Sequence, residues 1–200
     1  MKQRITTFVA SGVLALALFG EAMAGRLEDG EAAYQRGDYE TAVRLWRLSG
    51  DEGNVYAQFN LGLLYSSGQG LPQHYAQALI WFRKAADQGD ARAQVYLGGM
   101  YRVGRGVRQD YTQAVAWFRK AANQGNLFAQ ADLGEMYRDG QGVPQDFVRA
   151  HMWFNLVASG ASDASIRDQA VRDRNELAAK MTPAQIAAAQ RLASAWAPKK

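Results

Sequence analysis

The chain lacks cysteine and has little proline or histidine, with four prolines and two histidines in 200 residues. Without cysteine it forms no disulfide, offers a metal no thiolate, and carries no lipid on an N-terminal cysteine. Lysine and arginine never run beyond pairs, and the net charge of +4 is small and evenly mixed, which argues against nucleic acid as a partner. Stability must therefore come from apolar packing.

Signatures of exported serine hydrolases are also absent, since neither Ser-x-x-Lys nor Gly-x-Ser-x-Gly occurs. His74 and His151 lie in different segments, and the carboxylates show no spacing typical of metal ligands. Both histidines are interpreted as local structural residues. The sequence therefore predicts no enzyme, no cofactor and no metal site.

The first 24 residues have the pattern of a signal peptide. Lys2 and Arg4 precede an uncharged apolar run at 5–20, and Ala22-Met23-Ala24 follows as a small-x-small cleavage site. An uncleaved anchor is disfavoured because the run is shorter than the ~20 residues of a membrane span. We expect cleavage after Ala24 and an exported mature chain with no integral membrane segment. The periplasm is the expected location, with full secretion as the alternative.

The rest of the chain repeats with a period of 36 residues and no gaps. Residues 55–90, 91–126 and 127–162 align as three copies, and the first two are identical at nineteen of 36 positions. A fixed period of this length is typical of stacked-repeat proteins. Each copy predicts two helices, because an Ala/Leu/Tyr ladder and then a Trp-Phe pair with flanking alanines recur at helical spacing.

Two glycines, one residue apart, separate the two helices of each copy. In YRVGRGVRQDY, at 101–111, they stand beside three arginines and resemble a phosphate loop. Since the glycines recur in every copy, we interpret them as a turn whose first glycine takes the left-handed conformation. Arg102, Arg105 and Arg108 align with Ser66, Gln69 and Pro72 in one copy and with Arg138, Gln141 and Pro144 in the other. The repeat therefore does not demand them, and either a solvated loop or a small anion-facing patch explains them.

The segments that flank the three copies predict terminal units. Residues 25–54 hold a degenerate, tetratricopeptide-like copy with a shortened turn. Residues 163–200 predict two capping helices, the second of which starts at Thr182-Pro183 with Gln185 completing a capping box.

The skeleton Ala-x-x-x-Leu-Gly-x-x-Tyr-x-x-Gly-x-Gly, followed by Asp-Tyr-x-x-Ala-x-x-Trp-Phe-x-x-Ala-Ala-x-x-Gly, resembles the Sel1-like repeat (SLR) family, relatives of the tetratricopeptide repeats. The resemblance implies an all-α fold, a right-handed α-solenoid of antiparallel helix pairs, here with a C-terminal helical cap. It also implies an adaptor that binds a partner protein or peptide on its concave side. Exported bacterial relatives include regulators of envelope signalling and proteins that engage host proteins. A cysteine-rich branch linked to penicillin-like compounds differs from this chain, which has no cysteine.

Positions on the first helix of each copy that point away from the Leu/Tyr ladder are candidates for partner binding. They are Tyr56, Phe59 and Leu63 in the first copy, Arg92, Val95 and Arg102 in the second, and Phe128, Glu135 and Arg138 in the third. The alternative for Tyr56 and Phe59 is packing under the N-terminal unit, and the alternative for Phe128 is packing against a neighbouring layer.

Two functions remain from the sequence. The favoured one is a non-enzymatic exported scaffold that binds a protein or peptide, acting in envelope signalling or host interaction. The alternative is a cell-wall enzyme or a binder of β-lactams or peptidoglycan fragments. The sequence leaves the identity of the partner and the oligomeric state open.

Overall fold

The computed structural model describes residues 25–198, which form ten α-helices and no β-strand, so the predicted all-α repeat fold is confirmed. The described chain divides into two compact units, the first ending at Trp81 and the second beginning at Phe82. The predicted signal peptide at 1–24 lies outside the described residues. Within them, no helix is both long enough and apolar enough to cross a membrane. The helices are 25–35 (α1), Tyr39–Asp51 (α2), Val55–Ser67 (α3), Tyr75–Asp87 (α4), Ala91–Val103 (α5), Tyr111–Asn123 (α6), Leu127–Asp139 (α7), Phe147–Gly160 (α8), Ala164–Ala178 (α9) and Pro183–Ala195 (α10).

Short polar side chains start the helices at equivalent positions of each repeat. Asn54, Asp90 and Asn126 precede the first helices, and each accepts a hydrogen bond from the backbone N–H three residues later, at 3.0, 2.9 and 3.1 Å. Asp110 and Asp146 cap the second helices α6 and α8 in the same way. These bonds satisfy donors that a helix start leaves unpaired, so the sequence itself marks where each helix begins.

The recurrent glycine pair ends each first helix, as predicted. Gly68, Gly104 and Gly140 are the C-caps of α3, α5 and α7, with φ of 78°, 72° and 69°. A residue with a Cβ resists this left-handed conformation, which explains why glycine recurs there. The glycine-rich stretch at 101–111 is therefore a helix-ending turn.

Glycines inside the first helices let the second helix of the same repeat approach closely. A Cβ built on Gly98 would lie 2.7 Å from the ring of Phe118, and one built on Gly134 would lie 2.6 Å from Phe154. Both rings are almost fully buried. The predicted role of the Trp-Phe pairs as packing residues is confirmed, and the pairs Trp81-Phe82, Trp117-Phe118 and Trp153-Phe154 all lie in the core.

A buried glutamine ties each first helix to the end of the helix before it. Gln58, Gln94 and Gln130 donate their side-chain amides to the carbonyl eight residues earlier, at 2.8, 3.1 and 3.4 Å. Buried amides need such partners, because an unpaired polar group in the core costs ~1–3 kcal/mol. The recurrence of glutamine every 36 residues was the available signal for this contact, and the sequence analysis did not use it.

A second recurring contact shows how the last repeat is covered. Arg119 Nη2 donates to the hydroxyl of Tyr137 at 2.7 Å, eighteen residues later. One period after Arg119 stands Asn155, whose side-chain oxygen accepts a hydrogen bond from Arg174 of α9 at 3.1 Å. Helix α9 therefore occupies the place that the first helix of a further repeat would take, and α10 also packs on α8.

Candidate partner-binding face

Helices α5, α7 and α9 of the second unit line two neighbouring depressions. The first, the α5/α7 groove, has a volume of about 340 Å³, and the second, the α7/α9 pocket, about 290 Å³. The groove mixes three apolar side chains with three charged ones, whereas most of the pocket lining is apolar. The groove is lined by Val95, Tyr96, Gly99, Arg102, Val103, Arg105 and Asp132. The pocket is lined by Phe128, Ala131 and Glu135 of α7, Phe154 and Val157 of α8, and Ser165, Ile166, Gln169, Ala170 and Asp173 of α9.

Large apolar side chains stand exposed along this face. Tyr96 is 45% exposed, Val103 57% and Phe128 61%. The ring of Tyr96 stacks on that of Phe82, with centroids 4.9 Å apart and an angle of 14° between the planes. Since that stacking holds the Tyr96 ring in place, it presents a preordered apolar surface.

Arg102 joins the groove to the pocket through two carboxylates of α7. Its Nη1 lies 2.7 Å from Asp132 Oδ1 and 3.0 Å from Glu135 Oε2. Arg102 was a candidate for partner binding, and an anion-facing patch was one of the two explanations for its charge. The structure shows that two carboxylates of the chain itself already neutralise it.

The ionised form of the Asp132 carboxyl is disfavoured despite this ion pair. The pKa of Asp132 is raised to about 6, chiefly by burial; the charge of Arg102 lowers it in part, and the nearby charge of Glu135 raises it. Desolvation outweighs the ion pair because taking a carboxylate out of water is costly unless its partners replace the lost hydration.

Asp132→Asn is expected to remove a pH-dependent loss of stability. The native chain binds this proton more tightly than the unfolded chain, so the contribution of Asp132 is most favourable below pH ~4 and is lost as the pH rises through about 6. Relative to wild type, the variant should gain ~1–3 kcal/mol between pH 4 and pH 7. Urea melts of both proteins across this range measure the difference, and a flat difference curve would contradict the assignment.

Two predicted roles require correction. Phe59 is only 6% exposed, so it packs in the interior and does not offer an accessible anchor. Arg92 and Arg138, also predicted to bind a partner, each pair with a carboxylate of the chain. Arg92 lies 2.7 Å from Asp90, and Arg138 Nε lies 2.7 Å from Asp139. A side chain that meets a local counter-charge gains less from a partner's charge.

The other predicted residues fall in different settings. In the first unit, Leu63 is half-buried, and Tyr56 is 38% exposed and contacts the ring of Trp46 edge-on at 6.2 Å. The Tyr56 hydroxyl donates to Glu31 of α1, and this bond lowers the pKa of Glu31. In the second unit, Val95 lines the groove, while Phe128 and Glu135 line the pocket.

Tyr96, Val103 and Asp132 were missed by the sequence analysis. The available signal was a break in the repeat. Tyr96 stands where the other copies have Asn60 and Asp132, and Val103 stands where they have polar residues. An apolar residue at a position that is otherwise polar indicates a copy-specific surface.

Neither histidine lines either depression. His74 accepts a hydrogen bond from the backbone N–H of Gln77 at its Nδ1, at 3.2 Å, and so starts α4 in place of the aspartate found in the other copies. His151 is 3% exposed, and burial together with the nearby Arg174 lowers its pKa. Within residues 25–198, no cluster of His, Asp or Glu could hold a metal ion.

The chain is built from helix pairs whose starts are capped by polar side chains and whose first helices end at a glycine. Such stacked pairs define an α-solenoid made of repeats. The chain belongs to the Sel1 repeat family, whose sequence model matches residues 20–54, 55–90, 91–126 and 127–161. The match at 20–54 covers the segment predicted as a degenerate terminal repeat. Sel1 repeat proteins are commonly protein-interaction scaffolds and are typically not enzymes.

Two solved structures resemble the described fold. One is c5321 from uropathogenic Escherichia coli, a protective antigen with an SLR fold, at 34% identity and a TM-score of 0.74. The alignment covers 86% of this chain but only 37% of c5321, so this chain spans little more than a third of that protein. The other is a Sel1 repeat protein from Oxalobacter formigenes, at 29% identity and a TM-score of 0.67, with 81% of this chain and 75% of that one covered. No curated protein matches the chain.

Proposed function

We propose that the chain is an exported, non-enzymatic adaptor that binds a partner protein or peptide across helices α5, α7 and α9. The observation that carries the proposal is the row of exposed apolar side chains Tyr96, Val103 and Phe128 beside the two depressions. Large exposed apolar surface beside polar groups is typical of interaction sites. The membership in a family of interaction scaffolds supports the same function.

The proposal also includes export of the chain and a role in the cell envelope. The charged start, apolar run and Ala22-Met23-Ala24 site support export to the periplasm. An adaptor there would serve envelope signalling or interaction with a host by holding a partner on this face.

Phe128→Ala is expected to weaken partner binding by ~1–3 kcal/mol, because a bound partner would bury the exposed ring and the truncation removes that apolar contact area. The partner is first captured from envelope extract on the wild-type chain and identified. The dissociation constants of wild type and variant are then measured by titration.

Leu192→Ala is the matched control for this experiment. Leu192 is an apolar side chain of α10 that is 45% exposed and lines neither depression. The control should bind as wild type does, and both variants must keep the wild-type melting temperature. If Phe128→Ala binds as tightly as Leu192→Ala, the α5, α7 and α9 face is not the binding site.

A further inference from the structure

The α7/α9 pocket has the volume and the lining to accept one or two apolar side chains. Its floor is formed by Phe154 and Val157, each 1% exposed, and Phe128 stands on its edge. Its volume of about 290 Å³ lies at the lower limit of small-molecule sites, which span ~300–1,000 Å³. The pocket therefore suits a side chain of a bound segment.

The charged side chains that line this pocket are both carboxylates. Glu135 and Asp173 are among its lining residues, and no lysine or arginine is. This local sign is opposite to that of the whole chain, whose net charge is +4.

The arginines nearest these carboxylates each pair with another carboxylate as well, and the charge of Arg138 acts on Glu135 and Asp173 without a direct ion pair to either. Arg102 is shared between Asp132 and Glu135, and both Nε and Nη2 of Arg138 donate to Asp139, at 2.7 and 3.0 Å. Asp173 accepts a hydrogen bond from Gln169 at 3.0 Å and makes no ion pair within the described residues. The residues that line the pocket therefore carry two negative charges and no positive one.

We infer that the α7/α9 pocket binds an extended peptide segment in which an apolar side chain adjoins a lysine or arginine. The apolar side chain fills the space between Phe128 and the floor, and the cation pairs with Asp173 and Glu135. Complementary charge of this kind speeds encounter and excludes acidic segments, while the apolar anchor supplies affinity. The inference rests on the proposed function and specifies the chemistry of the partner.

A random peptide display library panned on the immobilised full-length chain tests the inference. We expect the enriched peptides to carry lysine or arginine within one or two residues of leucine, isoleucine, methionine or phenylalanine. The synthetic consensus peptide should bind about tenfold more weakly to the double variant Glu135→Gln/Asp173→Asn and more weakly as salt rises. Asp168→Asn, which removes an exposed carboxylate of α9 outside the pocket, should change binding less than about twofold.

A second measurement uses the wild-type chain alone, so that it does not depend on the folding of any variant. The consensus peptide with each basic residue replaced by glutamate should bind at least about tenfold more weakly. Equal binding of the two peptides, or no effect of the double variant when it keeps the wild-type melting temperature, would overturn the inference.

The outcome also separates this inference from the proposed function. Enriched peptides that are neutral or acidic, and that still require Phe128, would overturn the basic-apolar preference and leave the adaptor function standing. If no peptide is enriched, the inference falls. If in addition no Phe128-dependent partner is found, the proposed function falls with it.

Discussion

Gly142→Ala is expected to lower the free energy of unfolding by ~2–5 kcal/mol, the sum of two costs. Gly142 has a φ of 68°, a left-handed conformation that costs a residue with a Cβ ~1–2 kcal/mol. A Cβ there would also lie 2.3 Å from the carbonyl oxygen of Tyr111 and 2.8 Å from the nitrogen of Thr112. Overpacking of this kind costs ~1–3 kcal/mol, and no side-chain rotation relieves it because the obstacle is backbone.

Gly89→Ala separates the two costs. Gly89 also has a positive φ, of 96°, but a Cβ there would meet no atom within 4 Å. This control should lose only the ~1–2 kcal/mol of the backbone conformation. Urea melts of both variants measure the difference. If both lose equal stability, the turn at Gly142 does not approach the start of α6 as closely as described.

Gly98 and Phe118 are expected to show strong coupling in a double-mutant cycle. Phe118→Ala should cost ~3–5 kcal/mol, because the ring is fully buried and its removal leaves a cavity. Gly98→Ala should cost ~1–2 kcal/mol in the wild type, since overpacking against the ring outweighs the ~1 kcal/mol gained from helix propensity. In the Phe118→Ala background the obstacle is gone, so the same change should stabilise the chain by ~1 kcal/mol.

The neighbouring Gly99 is the control for helix propensity. It lies in the same helix, α5, and a Cβ there would meet nothing within 4 Å. Gly99→Ala should therefore stabilise the chain by ~0.5–1 kcal/mol in both backgrounds. Additive effects of Gly98→Ala and Phe118→Ala in thermal or urea melts would mean that the helical glycine does not serve the close approach of α6.

The regular parts of the fold were predictable because they depend on local or strictly periodic relations. A cap such as Asp110 acts on a backbone N–H only three residues away. A turn glycine is required by the backbone conformation at its own position. The Trp-Phe pairs lie on the apolar face of their helix, and the helical spacing of that face buries them. Because the sequence repeats every 36 residues, each cap, turn and core position recurs, and a prediction that is correct for one copy applies to the others.

The candidate site depended on relations that have no period. Arg102 meets Glu135 across 33 residues, and that contact turned a predicted partner-binding group into a neutralised one. Asp132 and Glu135 have no acidic counterparts in the other copies, so nothing in the repeat pattern pairs them with Arg102. Phe59 shows the same limit, because its helix position suits both the surface and the interior, and the packing around it decides.

The sequence by itself therefore determined the repeat, the order of the helices, the turns and the recurring residues that fill the core. Backbone geometry and hydrophobic periodicity act over a few residues or recur at a fixed spacing. Only the tertiary structure decided which copy-specific side chains remain exposed, which charges neutralise one another, and that α9 closes an acid-rimmed apolar pocket against α7. Those outcomes depend on side chains from different helices meeting at distances of a few ångströms, which helix packing sets and the order of residues does not show.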